Sequence, residues 1–198
     1  MKKWVNLYTL AFVVGAAFLT ALPLMQRRFL AAPAPVGAWG NWQLSAIDDN
    51  ATKASSTFSG KVVLANFIPN DCDAACLDNR LEIGKVLGHT DDLGDKIAVI
   101  TFVWPASTGA VRGKARDRWY VLSGDERQLS GLFESFRAAW ATFANTDAGN
   151  SAPEFSTLPA YMLVDQLGAI RGFWKSDEVG RGNSINAARL LAKEGPNP

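Results

Sequence analysis

Sulfur and imidazole are scarce in this chain, which has two Cys and one His among 198 residues. That inventory excludes a four-ligand zinc site of Cys and His and a four-Cys iron–sulfur cluster. No C-x-x-C-H haem attachment signature is present. Charge of one sign is also lacking: 20 Lys+Arg against 19 Asp+Glu leave a net +1, so there is no basic footprint for nucleic acid. The only His has no evident partner for a Ser/His/Asp arrangement, and no phosphate-cradling glycine loop occurs. General disorder is excluded by an apolar fraction of 48%.

Hydrophobic length is present at the N-terminus. Residues 4–26 carry no charge over 23 positions, with Lys2 and Lys3 before them and Arg27 and Arg28 after. About 20 apolar residues span a bilayer as a helix. A cleaved signal would have a shorter apolar core followed at once by small residues. Two arginines follow here, and Ala31-Ala32-Pro33-Ala34 comes later. The segment 1–28 therefore reads as an uncleaved transmembrane anchor rather than an export signal. Residues 29–38 hold two Pro and no charge and read as a linker. Residues 39–194 are left for one globular domain, ample for a single core.

That domain alternates strand and helix signals. Val62 to Phe67 and Lys96 to Trp104 are continuous apolar runs, the pattern of central strands buried on both faces. Between them, Leu77, Leu81, Ile83, Val86 and Leu87 predict a helix over 73–88. Trp119 to Leu122 is a short strand. Leu129, Leu132, Phe133, Phe136 and Trp140 give one apolar side to a helix over 126–143. Ala160 to Val164, the turn Gln166-Leu167-Gly168 and 169–174 form a hairpin, and 184–192 closes the chain as a helix. The fold class is α/β, a mixed sheet flanked by helices.

The chemistry candidate is Cys72-Asp73-Ala74-Ala75-Cys76, at the junction of the first buried strand and the helix after it. Positions i and i+4 share a helix face, so the two sulfurs can converge. They can close a disulfide if their Cα atoms stand about 5.5 Å apart. They can hold a soft ion such as Cu(I). They can also be inert structural cysteines. A helix N-terminus favours the thiolate, while Asp71 and Asp73 oppose it or cap the helix. His89 follows Cys76 by 13 residues, roughly 20 Å along a continuous helix, too far to join the sulfurs.

The series GKVVLANF, then Cys-x-x-x-Cys opening a helix, then a buried strand, then DRWYVLSG, then YMLVDQLG is similar to the Sco/SenC family over roughly residues 37–192. These are membrane-anchored, thioredoxin-fold proteins of cytochrome c oxidase assembly, acting by copper delivery or thiol reduction at the copper centre of subunit II. The resemblance implies a thioredoxin-like domain behind a single-pass anchor in the bacterial inner membrane, facing the periplasm. It implies redox-active Cys72 and Cys76, copper as the one cofactor, and a cysteine-bearing client such as oxidase subunit II. It makes Pro159 the proline that faces the cysteines, with Leu158 offering its backbone to a docked client. The chain departs from the family pattern at three places. Asp73 stands where a proline usually follows the first Cys. No His lies near Thr157, where the copper-binding one is expected. Trp104-Pro105-Ala106 replaces the Asp-Pro loop after the second strand.

Three functions follow. One is thiol–disulfide exchange, with Cys72 attacking and Cys76 resolving. Another is a Cu(I) chaperone using both sulfurs, with a third ligand from Met162, a backbone oxygen or the client. The last is a non-catalytic interaction protein on the same fold. Trp39, Trp42 and Trp104 are available to flank the site.

Overall fold

The computed structural model describes residues 11–18, 32–68, 83–104, 117–146, 160–175 and 177–195. The chain divides into two units, Met1–Ala32 and Pro33–Pro198.

In the first unit, residues 11–18 form helix α1, with every residue exposed; Phe12 and Phe18 are 76% and 66% accessible. Among the described residues no helix is long and apolar enough to cross a membrane. This corrects the transmembrane reading of residues 4–26, whose remaining parts lie outside the described residues. The membrane as a partner, the single-pass inner-membrane location facing the periplasm, and a membrane-bound client such as oxidase subunit II fall with the anchor.

The second unit is built on one mixed sheet of eight strands. They are β1 Gly37–Ala38, β2 Gln43–Ala46, β3 Thr52–Ala54, β4 Val62–Ile68, β5 Ile97–Val103, β6 Trp119–Ser123, β7 Ala160–Val164 and β8 Ala169–Lys175. Their order across the sheet is β1-β8-β7-β4-β5-β6-β2-β3. β4, β5 and β6 run parallel and the other pairings are antiparallel. All seven residues of β4 and all seven of β5 are buried. Parallel strands of this kind need helices on both faces, which is why their sequences lack polar–apolar alternation.

Three helices supply that cover. Helix α2 spans 83–89, the described part of the predicted 73–88 helix. Helix α3 is Glu126–Ala144, capped by Asp125, whose side chain accepts from Gln128 N while Gln128 Oε1 accepts from Asp125 N. That reciprocal pair satisfies two otherwise orphaned N–H groups. Helix α4 is Glu178–Glu194, with the Asp177 side chain accepting from Gly180 N at 2.7 Å. It starts nearly two turns before the predicted Ser184, because Gly180 and Gly182 lower the local helix signal. Gly180 has a packing reason, since a Cβ there would collide with the Lys175 carbonyl.

The two faces of the sheet follow from strand alternation. Val63, Ala65 and Phe67 of β4 and Ala98, Ile100 and Phe102 of β5 point to α3. There they form one core with Leu129, Leu132, Phe136, Ala139 and Phe143. Val62, Leu64, Asn66 and Ile68 point the other way, toward α4, which packs on β4, β7 and β8. Arg189 of α4 donates to the carbonyl of His89 at 2.6 Å, so α2 lies on this second face too. Residues 36–38, the end of the stretch read as linker, run along β8: Val36 N donates to Ile170 O, and β1 pairs with Ala169 and Ile170.

The turn between β7 and β8 is fixed by Asp165. Its carboxylate accepts from Leu167 N, Ala169 N and the Arg171 guanidinium, which also reaches the carbonyl of Pro33. Gly168 has φ +81°, and its Cα lies so close to Trp39 that a Cβ would come within 2.9 Å of the indole nitrogen. Both facts call for glycine.

Candidate functional site

The carboxyl ends of β4 and β5 lie side by side. Ile68 is in register with Val103, and Trp104 N extends the ladder by donating to Ile68 O at 3.2 Å. After Ile68 the chain continues through Pro69 to Cys72 and Cys76, which lie outside the described residues. β7 runs antiparallel to β4 with Ala65 opposite Met162. Continuing that register puts Ala160 opposite Phe67. The chain before Ala160 carries Thr157, Leu158 and Pro159, again outside the described residues. The topology therefore joins three segments to the sheet at one edge: the one carrying both cysteines, the one after Trp104, and the one carrying Leu158-Pro159. This is the crevice at the carboxyl ends of strands, where open α/β sheets place their chemistry.

Aromatic side chains build the described wall of this edge. Phe67 stacks on Phe102 with ring centroids 5.2 Å apart and planes 15° from parallel. Phe133 of α3 meets Phe67 at 5.0 Å and the half-buried Trp104 edge-on at 5.5 Å. Of the three tryptophans considered as flanking residues, Trp104 follows the end of β5, and Trp42 meets Phe102 edge-on at 5.5 Å. Trp39 and Trp42 pack against each other and against Phe58.

The other candidates are placed elsewhere. His89 is exposed at the end of α2, with Nδ1 2.8 Å from the Lys85 carbonyl. It precedes the 3-10 turn Asp91–Lys96 that feeds the amino end of β5. The two edges of the sheet are separated by a seven-residue strand, about 20 Å. Met162 is fully buried in the core under α3. Among the described residues no group of three or more His, Cys, Asp and Glu could hold a metal ion. The family's copper set of two sulfurs and one imidazole does not fit this chain, because its only imidazole stands at the opposite edge.

One feature of the site is invisible without the register. β4 (VVLANFI) and β5 (IAVITFV) each contain a single polar residue, Asn66 and Thr101. The parallel pairing sets these two side by side, each 1% exposed. Thr101 Oγ1 accepts from the indole of Trp119 at 2.9 Å. Tyr161, also 1% exposed, falls opposite Asn66 on the other side when the β4–β7 register is continued. A buried polar row thus crosses β7, β4, β5 and β6 on the α2–α4 face, two residues below the strand end that leads to the cysteines. The signal available in the sequence was one polar residue interrupting each of two apolar runs.

No protein-family model matches the sequence, and no curated protein matches it at a significant level. Solved structures do match. BsSco, a Sco-family cytochrome c oxidase assembly protein with a disulfide switch, superposes with a TM-score of 0.60 at 15% identity, over 81% of this chain and 96% of its own. A Sco/SenC family lipoprotein from Bacillus anthracis gives 0.59 at 14% identity, over 82% and 99%. The copper-bound Sco protein of Bradyrhizobium japonicum gives 0.55 at 19% identity, over 77% and 98%. The chain has a Sco-like thioredoxin fold. The similarity extends over nearly the whole length of each of these proteins. At these identities the likeness concerns the fold, and the chemistry has to be argued from this chain's own residues.

Proposed function

We propose that this Sco-like domain carries out thiol–disulfide exchange through Cys72 and Cys76. The observation that carries the reading is the place of the Cys-x-x-x-Cys segment. In the sequence it follows the fully buried strand β4, whose end lies beside that of β5, and precedes α2. The single His stands at the other edge, and exchange needs no imidazole. The disulfide switch of BsSco is chemistry of the same kind on the same fold.

In the proposed sequence Cys72, nearer the strand, attacks a substrate disulfide as thiolate. A mixed disulfide forms and one substrate sulfur leaves as thiolate. Cys76 then loses its proton and attacks the Cys72 sulfur. The second substrate thiolate leaves, and the protein holds a Cys72–Cys76 disulfide. Two electrons pass from protein to substrate, and the two thiol protons pass to the product thiols or to water.

The test is reaction of the reduced protein with an aromatic disulfide whose thiolate is coloured, such as Ellman's reagent. Two equivalents of coloured thiolate are expected, the second arising by intramolecular resolution. Cys76→Ser should stop at one equivalent with a trapped mixed disulfide. A Cys72–Cys76 couple below about −300 mV would mark a structural bond and overturn the proposal, as would colour release that Cys72→Ser leaves unchanged.

A further inference from the structure

One glycine inside α3 is not explained by close packing. Gly131 is the sixth residue of the 19-residue helix Glu126–Ala144, and glycine in a helix interior costs stability relative to alanine. Gly37, Gly172 and Gly180 are each held to glycine by a neighbour: a Cβ would collide with Ala139, Trp174 and the Lys175 carbonyl respectively. A Cβ at Gly131 would meet nothing within 4 Å. The missing side chain leaves a groove open.

The groove has a volume of about 430 Å³ and runs between residues 39–43 and the face of α3 that carries Arg127, Gly131, Leu132 and Ser135. Pockets that take small organic molecules start at about 300 Å³. The clefts beside Asp165 and beside Asp117, about 280 and 260 Å³, fall short of that. Gln128 Nε2 donates to Gln43 O at 3.3 Å, which ties the two walls together. Trp39, Trp42 and Leu132 give the groove apolar surface.

Its charge has one sign. Arg127 is the only ionisable residue of the lining, which contains no Asp or Glu. Arg118, Arg137, Arg171 and Arg189 each pair with a carboxylate. The exposed guanidinium of Arg127 pairs with none among the described residues. Trp42 adds a donor, because its indole N–H is buried without an acceptor among the described residues. A buried donor left unpaired costs free energy. A free cation and an unsatisfied donor beside apolar rings, with no carboxylate near them in the lining, complement a negative group carried on a flat apolar body.

We propose that this groove binds a small organic anion, an aromatic carboxylate or sulfonate. Its charged group lies by Arg127, and its rings fill the space that a side chain at position 131 would occupy.

The probe is 8-anilinonaphthalene-1-sulfonate, a sulfonate on flat rings that brightens when shielded from water. The full chain should bind one equivalent saturably, with emission that can be excited through tryptophan. N-phenyl-1-naphthylamine, the same rings without the sulfonate, should bind more weakly. Arg127→Gln should raise the Kd of the sulfonate about threefold to fivefold, as for an exposed ion pair, and leave the neutral dye unchanged. Gly131→Met puts a side chain into the groove and should abolish the bound equivalent of either dye. Met is a good helix former and meets no close neighbour there, so this variant should melt no lower than wild type. An equivalent that survives Gly131→Met in a folded protein sits elsewhere and overturns the proposal, as does a wild-type protein that binds neither dye. Equal affinity for the two dyes, with no effect of Arg127→Gln, overturns the assignment to anions. If Gly131→Met does not melt cooperatively, Ser135→Phe, one turn further along the same face, decides by the same outcomes.

Discussion

The two edges of the central sheet are built for different purposes. At the edge where β5 begins and β7 turns into β8, polar side chains tie one element to the next. Arg171 links Asp165 to Pro33, Gln166 links the hairpin to α4, Arg189 links α4 to Asp92 and His89, and Arg118 links the entry of β6 to Asp91 and the carbonyls of Thr90 and Gly94. At the other edge the described residues present aromatic rings and strand ends, and the cysteine segment begins there. On the proposed exchange reading, the chemistry sits at one edge and the fastenings at the other. The comparison predicts that fastenings can be cut with loss of stability and no change in thiol chemistry of the folded protein.

The largest such effect is expected at Asp165. Its side chain is 3% exposed and that of Arg171 15%. Asp165→Ala leaves the part-buried Arg171 guanidinium with only the Pro33 carbonyl, and two backbone N–H groups without their side-chain acceptor. Breaking one side of a buried pair costs about 3 kcal/mol or more, measurable as a shift in urea midpoint at constant slope. Release of both coloured equivalents should keep its wild-type rates below the unfolding transition. Slowed release there would show that the two edges are coupled.

A middle-sized effect sharpens the contrast at Arg118. This residue has φ +74°, a left-handed conformation unusual for a side chain with a Cβ. Its guanidinium, 15% exposed, carries the bonds that hold the residue there. Arg118→Ala should cost about 1–2 kcal/mol, since it loses those bonds and keeps the unfavourable φ. Arg118→Gly loses the same bonds but frees the backbone, so it should be the more stable of the two by up to about 1 kcal/mol. Equal stabilities in denaturant would show that the left-handed backbone holds no strain worth measuring.

What the amino-acid sequence revealed follows the same division. The fully apolar runs of β4 and β5 announced themselves because central parallel strands show one signal on both faces. The Asp165–Gly168 turn and the apolar stripe of α3 were equally legible. The early start of α4 was not, since a glycine needed for close packing on Lys175 looks locally like a helix breaker. Nor was the β2–β3 hairpin, where only Asp48-Asp49-Asn50 signalled a turn and the strands are four and three residues long. The apolar stretch 4–26 suggested a membrane span by hydropathy, but no helix among the described residues is long and apolar enough to cross a membrane. Asn66 and Thr101 are 35 positions apart, and nothing local tells that they are neighbours. Pairing is a long-range property set by how whole strands register.

The smallest expected effect is a pH dependence at the fastened edge. The hydrogen bond from Arg189 holds the Asp92 carboxyl below its usual range; its slight burial opposes this, and the charges of Arg189 and Lys193 add to the lowering. A carboxyl depressed in the folded state binds fewer protons there than in the unfolded chain. Its contribution to stability is therefore complete above the unfolded carboxylate range, about pH 4, and is lost as pH falls through the folded value. Arg189→Gln should bring the Asp92 titration, followed by carbon NMR of the carboxyl, back upward. It should also flatten the fall of the urea midpoint below about pH 4. Asp92 is exposed and salt screens it, so the difference should shrink in high salt. Superimposable midpoint curves for the two proteins at low salt would mean that this ion pair fastens nothing, and that α4 is held against α2 by the Arg189 bond to the His89 carbonyl and by apolar packing.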